Sequence, residues 1–205
     1  MVKVMGRKEE SHQRILAAAG RRFRADGLDG AALAAIMGEA GLTHGGFYAH
    51  FAGKEALIAA ALETALAEGW RRWLAGLEGL APEDALRLIV GRYLSPAHRD
   101  APTTGCAMAA LASELARRPA PSRLALEAAL LALLESLERS MPEGTSLGHR
   151  ERAIATTALC LGGLLLSRMV VDPALSDAIL LACRRAARTT LPSEAVGLSL
   201  AARSR

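Results

Sequence analysis

The chain has 205 residues, 51% of them hydrophobic but only 3% aromatic, with 25 Lys and Arg against 21 Asp and Glu. That length can hold one sizeable core or a small head on a larger body. A core built from Ala and Leu, with few β-branched residues, argues for helices and against a sheet. Three scattered cysteines, Cys106, Cys160 and Cys183, are an odd count without metal-ligand spacing; they argue against a disulfide framework and a metal centre and suit a reducing compartment.

The first helix is expected over about Glu9–Asp26, with Ile15, Ala19 and Phe23 on one stripe, Ser11 as a cap and Gly27 as the stop. A short helix follows over about Ala31–Ala40, broken by Gly41, and a third over Thr43 to about Phe51. A long helix starts near Lys54 and runs to about Leu77. Pro and Gly then punctuate helices near Pro82–Leu94, Gly105–Arg117, Pro121–Ser140, Gly148–Val171 and Pro173–Thr190, with a loop over Ser95–Thr104. The domains expected are 1–53, a small three-helix head; 54–191, a helical body; and 192–205, a frayed tail.

The apolar stretch Ala153–Val171 carries Thr156, Thr157, Gly162, Gly163 and Ser167 and reads as a buried bundle helix, not a membrane span. The N-terminal stretch has no apolar signal core, so a cytoplasmic location is expected. Positive charge is concentrated early: residues 1–54 hold eight Lys and Arg against five Asp and Glu, and three of the five histidines. A basic head on a near-neutral body suits a nucleic-acid contact; a solvated basic helix face would give the same count.

The segment Leu33–Leu57, LAAIMGEAGLTHGGFYAHFAGKEAL, carries the function. It reads as helix, tight turn at Gly41, helix. Ile36, Met37, Ala40, Leu42 and Phe47 can set the angle between the helices. The second helix then presents Thr43, His44, Gly45, Gly46, Tyr48 and His50, small and polar groups suited to a major groove. Two glycines in a short helix cost roughly 1 kcal/mol each relative to Ala, and close approach to DNA would explain keeping both. Tyr48 could instead be a core aromatic. His44 and His50 lack a third metal ligand and a catalytic partner, so no metal, cofactor or catalytic site is expected.

Residues Gln13–Leu62 resemble the DNA-binding domain of the tetracycline-repressor (TetR) family, through RILAAAGRRFRADGLDG and IMGEAGLTHGGFYAHFAGKEAL. The resemblance implies an all-α protein: a three-helix helix-turn-helix head plus a C-terminal ligand-binding and dimerisation bundle. It implies that Thr43 caps the recognition helix and touches phosphate or a base edge, and that His44, Gly45 and Gly46 face the groove. Tyr48 and His50 match phosphate-contacting positions, Lys54 the backbone-clamping lysine and Phe51 a core plug. One departure is the Ala31–Ala32 pair, where the family often has Ser or Thr; that phosphate contact is missing or made by a backbone N–H.

The function expected is a homodimeric, non-enzymatic repressor that binds a near-palindromic double-stranded operator and is released by a small apolar or electrophilic effector. The last two long helices are expected to pair with their copies, helped by Gly162–Gly163 and the stripe Ile179, Leu180 and Cys183. Cys106, at a helix start, is a sensing thiol or a buried hydrophobe. Trp70, Trp73, Tyr93 and Met108 line an effector cavity or pack the core. The alternatives in other classes are a small helical enzyme and a protein-binding adaptor.

Overall fold

From Ile15 onward apolar residues recur at helical spacing, and the computed structural model, which describes residues 6–141 and 148–189, winds them into helices. In chain order these are α1 (Arg7–Gly30), α2 (Leu33–Glu39), the 3-10 helix η1 (His44–Ala49), α3 (Lys54–Leu74), α4 (Pro82–Tyr93), α5 (Pro96–Arg99), α6 (Ala107–Leu115), α7 (Ala120–Glu138), α8 (His149–Met169) and α9 (Pro173–Thr189). Among the described residues there is no strand, and the fold is all-α. The tail expected to fray, 192–205, lies outside the described residues.

Four local expectations change. Ser11 does not cap α1: its hydroxyl donates to the Arg7 carbonyl inside the helix at 2.9 Å, and Gly6 precedes the first turn without a side-chain cap. Gly27 does not end α1 but kinks it, at φ 77°, and the chain continues helically to Gly30. The recognition segment is six residues of 3-10 helix instead of an α-helix from Thr43 to Phe51. Its two glycines and its uncapped start explain this, because each removes support for α-helical winding. The expected Ser95–Thr104 loop contains the one-turn α5, started by the Ser95 hydroxyl accepting from the His98 amide at 3.2 Å.

The head is α1, α2, η1 and the start of α3 around Ile15, Ala19, Phe23, Ile36, Phe47 and Leu57, each buried. Gly41 makes the turn between α2 and η1 at φ 69°, a left-handed value that a side chain resists, while the Leu42 amide closes back on the Met37 carbonyl at 2.9 Å. The body is the rest of α3 with α4 and α6–α9; α3 packs on α7, α7 on α8, and α8 most extensively on α9.

The α8–α9 contact corrects the expected use of one apolar stripe. Gly163 faces the neighbouring helix of its own chain, where an added Cβ would lie 2.7 Å from the Cys183 Sγ and 3.1 Å from Leu94 Cδ2. Leu180 is fully buried in the same seam. Gly163, Leu180 and Cys183 therefore hold α9 to α8 within one chain. A different face of these helices, carrying Ile154, Leu165, Leu166, Met169, Leu175 and Leu181, is exposed.

Gly163→Ala should lower stability by about 1–3 kcal/mol, since the seam has no slack for a methyl. Gly91→Ala, inside α4 with nothing within 4 Å of an added Cβ, should instead raise it by about 0.5–1 kcal/mol. Urea unfolding of the two variants checks both signs.

Candidate nucleic-acid interface and effector cavity

Phe47, on the inner side of η1, is fully buried and stacks on Phe51 with ring centroids 5.8 Å apart. Phe51 in turn stacks on His12 of α1 at 4.8 Å. This aromatic column fixes η1 against α1 and leaves its other side outward. Thr43, His44 and Gly45 are exposed, Gly46 is half-buried, and Tyr48 is 68% exposed. Tyr48 touches Phe47 edge-on at 5.2 Å but is not part of the core.

Thr43 precedes η1 without a side-chain cap; the turn closes through the Gly46 amide on the Thr43 carbonyl at 3.0 Å. The chain itself does not require glycine at either recognition position. An added Cβ at Gly45 meets nothing within 4 Å, and one at Gly46 makes only ordinary contacts with Thr43 and Met37 at 3.8 and 3.9 Å. His50 is half-buried beside His12, 5.9 Å between rings, and its enclosed Nδ1 has no hydrogen-bond partner.

Lys54 is further from a free cation than its sequence position suggests: its Nζ donates to the Asp29 carbonyl at 3.1 Å. The head's other charges are partly spent inside the fold. Arg21 and Arg22 both bind Glu39 at 2.7 Å, tying α1 to α2. The bonds from Arg21, then Arg22, hold the Glu39 carboxyl below its usual range, against the opposing effect of burial. Two arginines counted toward the basic footprint thus act as internal ties, a pairing that separations of 17 and 18 residues conceal in the sequence.

The far side of the head is pinned to the body. The kink at Gly27 frees the Leu28 amide from its helical acceptor, and Glu114 of α6 accepts it at 2.8 Å. Arg24 donates to the Thr103 carbonyl at 2.6 Å and Arg72 to the Thr104 carbonyl at 2.9 Å. Arg118, at the end of α6, binds Asp29 and also Glu55 at 2.8 Å.

In the body, a partly enclosed apolar cavity of about 30 Å³ is lined by Trp70 of α3, Ile89 and Tyr93 of α4, Leu133 and Leu137 of α7, and Thr156, Thr157, Cys160 and Leu161 of α8. Of the five residues expected at an effector site, Trp70 and Tyr93 are on this wall. Trp73 lies behind it, 5.3 Å from the Tyr93 ring; Cys106 is buried next to Trp70 and Trp73; Met108 is in the core. Lone Thr and Leu residues of α7 and α8 gave no sequence signal for a cavity, because at helical spacing they read as core.

His98 was also missed. Its ring is buried between Trp73, at 4.4 Å, and Tyr93, at 4.7 Å. The Cys106 backbone N–H donates to its Nε2 at 3.0 Å, so that nitrogen is the acceptor and Nδ1–H donates to the Tyr93 carbonyl at 2.7 Å. Burial pushes its pKa from 6.5 to about 4; the Tyr93 carbonyl opposes this, and Arg168 and Arg72 add to it. Cys106 is 4% exposed at the start of α6. Burial pushes the Cys160 thiol up to about 12.

Among the described residues no group of His, Cys, Asp and Glu is placed to hold a metal ion, and no helix is long and apolar enough to cross a membrane. The family model described as bacterial regulatory proteins, tetR family, matches residues 15–61, and the tetracyclin repressor-like C-terminal domain matches 82–182. Among solved structures, a TetR-family transcriptional regulator from Cytophaga hutchinsonii is similar at 19% identity, TM-score 0.79, over 94% of this chain and 100% of that one. The reduced form of E. coli NemR is similar at 20% identity, TM-score 0.77, over 91% and 99%. A TetR regulator from Chloroflexus aurantiacus follows at 23% identity, TM-score 0.75, over 90% and 96%. No curated protein matches the chain.

Because His98 stays neutral in the fold, the unfolded chain binds an extra proton between pH 6.5 and about 4. Stability should be complete above 6.5, fall as the pH drops toward 4, and level off below. His98→Gln, which can still accept and donate, should flatten that slope; melting temperatures across this range for both proteins check it.

Proposed function

The chain belongs to the tetR family of bacterial regulatory proteins, and from that premise we propose a dimeric repressor that leaves a near-palindromic operator when a small molecule enters the body. It is a DNA-binding transcriptional regulator, and we assign it no catalytic role and a cytoplasmic location. The division proposed is a DNA-binding head, 1–53, and an effector and dimerisation body, 54–191. One observation carries the reading of the head: the outward side of η1, from Thr43 to Tyr48, is small and polar and holds two glycines that the fold does not need.

In this reading His44, Gly45 and Gly46 approach base edges, and Thr43, Tyr48, His50 and Lys54 meet the phosphate backbone. Lys54 has three donors, so it can keep the Asp29 carbonyl and still reach a phosphate. The exposed apolar face of α8 and α9 pairs with its copy, which sets two recognition segments about 34–36 Å apart, or a multiple, in successive major grooves.

The effector works without a covalent bond in this proposal. A sensing thiol has to be reached by its reagent, and Cys106 is 4% exposed. The element that carries the signal is α6: its first turn lies against Trp70 and Trp73, and Glu114 near its end holds Leu28 in the head. Helix displacement at the cavity would tilt α6 and re-aim η1.

Duplexes selected from a random pool by the full-length protein supply the operator, and binding to it is then measured against salt. Lys54→Ala and Tyr48→Phe should weaken all sequences alike, the lysine change reducing the salt slope by about one unit, whereas His44→Ala should change base preference. An altered preference with an unchanged slope for Lys54→Ala would overturn the assignment. Leu166→Glu with Met169→Glu should give a monomer in light scattering with operator affinity lost. Cys106→Ser should bind and release the operator as the unsubstituted protein does.

A further inference from the structure

Buried hydrogen-bonding atoms are almost always paired, yet residues around the body cavity break that rule together. The Tyr93 hydroxyl, the Trp70 Nε1 and the Thr156 Oγ1 are all enclosed without a partner, and all three residues line the cavity. Tyr93 and Thr156 are 4% and 1% exposed, so water does not satisfy them from outside. Thr157, beside them, has spent its hydroxyl on the Ala153 carbonyl at 2.8 Å. The Cys106 thiol near Tyr93 is at most a weak partner for its hydroxyl. The rest of the wall is Ile, Leu and Cys, and no charged side chain lines it.

An occupant of this space must match that wall. A charged occupant is disfavoured, because no charged side chain lines the wall to balance it. A pure hydrocarbon would leave the three polar atoms as they are. The indole N–H is a donor only, and each hydroxyl can donate, so the common complement is an acceptor oxygen. At about 30 Å³ the cavity holds about two waters, so the occupant has to part α7 and α8 from α3 and α4, the movement that the release mechanism needs.

We propose that the effector is a small uncharged apolar molecule with one acceptor oxygen, carbonyl or ether, that accepts from two at a time of the Tyr93 hydroxyl, the Trp70 indole and the Thr156 hydroxyl in the apolar wall of α3, α4, α7 and α8. This rests on the reading of the chain as an effector-released repressor. The larger open cleft beside it, about 500 Å³ and lined by Arg72, Trp73, Arg92 and His98, is the competing place, and its chemistry is opposite, since two guanidiniums would favour an anion.

The test uses the full-length protein and a probe series measured by calorimetry: phenyl alkyl ketones from acetophenone to hexanophenone, each against the alkylbenzene with CH2 in place of the carbonyl, with 4-phenylbutyrate and 4-phenylbutylammonium as charged members. The best-fitting ketone should bind about tenfold or more tightly than its alkylbenzene, and the charged probes weakly. Tyr93→Phe and Thr156→Val keep shape and should each narrow the ketone-to-hydrocarbon ratio, leaving hydrocarbon affinity nearly unchanged and the melting temperature no lower; Trp70→Phe removes a ring together with the N–H, so for it only the ketone-to-hydrocarbon ratio is read. The proposal falls if no ketone outbinds its hydrocarbon, if the ratio survives all three substitutions, if nothing in the series binds, or if 4-phenylbutyrate binds tightest, which would assign the arginine cleft. Operator release is scored separately. Ketone binding with the expected ratios but no release would keep this site and overturn the repressor reading; release by hydrocarbon and ketone alike would do the reverse.

Discussion

The orientation of the head turns on a break in a helix and on the hydrogen bond that satisfies it. At Gly27 the backbone of α1 leaves helical geometry, and the Leu28 amide loses the carbonyl it would otherwise bond. A half-buried amide without an acceptor costs about 1–3 kcal/mol. The Glu114 carboxylate of α6 supplies the acceptor at 2.8 Å, and the helix resumes for one more turn, delivering buried Leu28 and Ala31 into the start of the helix-turn-helix. The geometry of α2 and η1 is thereby set partly by a side chain of the body.

The neighbouring ties have the same character. Arg24 and Arg72 donate to carbonyls in the segment just before α6, and Arg118 just after α6 bridges Asp29 at the end of α1 and Glu55 at the start of α3. Each joins the head or α3 to the flanks of one nine-residue helix. Hydrogen bonds and ion pairs at half-exposed positions are worth roughly 1 kcal/mol each, so the set orients the head firmly but can be exchanged at modest cost. The same joint also has a hydrophobic part, since one core runs from Ile15 and Phe23 of α1 to Leu111 and Leu115 of α6, and a regulator needs two arrangements of similar free energy.

The head was largely legible in the sequence because its signals are local. Gly41, the apolar spacing of Ile36, Met37 and Phe47, and the polar run from Thr43 to His50 all lie within a few turns of one another. The 3-10 winding of η1 was not read from the sequence, although its two glycines and the missing cap at Thr43 favour it. Charge was misleading: a count cannot show that Arg21 and Arg22 are already paired with Glu39. In the body, α8 and α9 each carry two apolar faces, and only packing tells the seam at Gly163, Leu180 and Cys183 from the outer face at Leu166 and Met169. His98 was invisible because its two partners are backbone groups.

The low aromatic content gives the body a particular mechanical property. Its cavity wall is mostly Leu, Ile, Thr and Cys, side chains that shift by rotamer changes, with Trp70 and Tyr93 as the two large rigid members. On the proposed reading, an occupant that pairs the Tyr93, Trp70 and Thr156 atoms better than the water the closed cavity can hold gains free energy in the opened state. A ligand can shift an equilibrium only by its preference for one state over the other. On the proposed reading, better pairing of these atoms in the opened state provides such a preference, and the three groups that select the ligand would also supply the free energy that moves α6. Selectivity and response then cannot be separated by mutation at these positions, whereas a change at Glu114 would sever the response and leave ligand affinity in place.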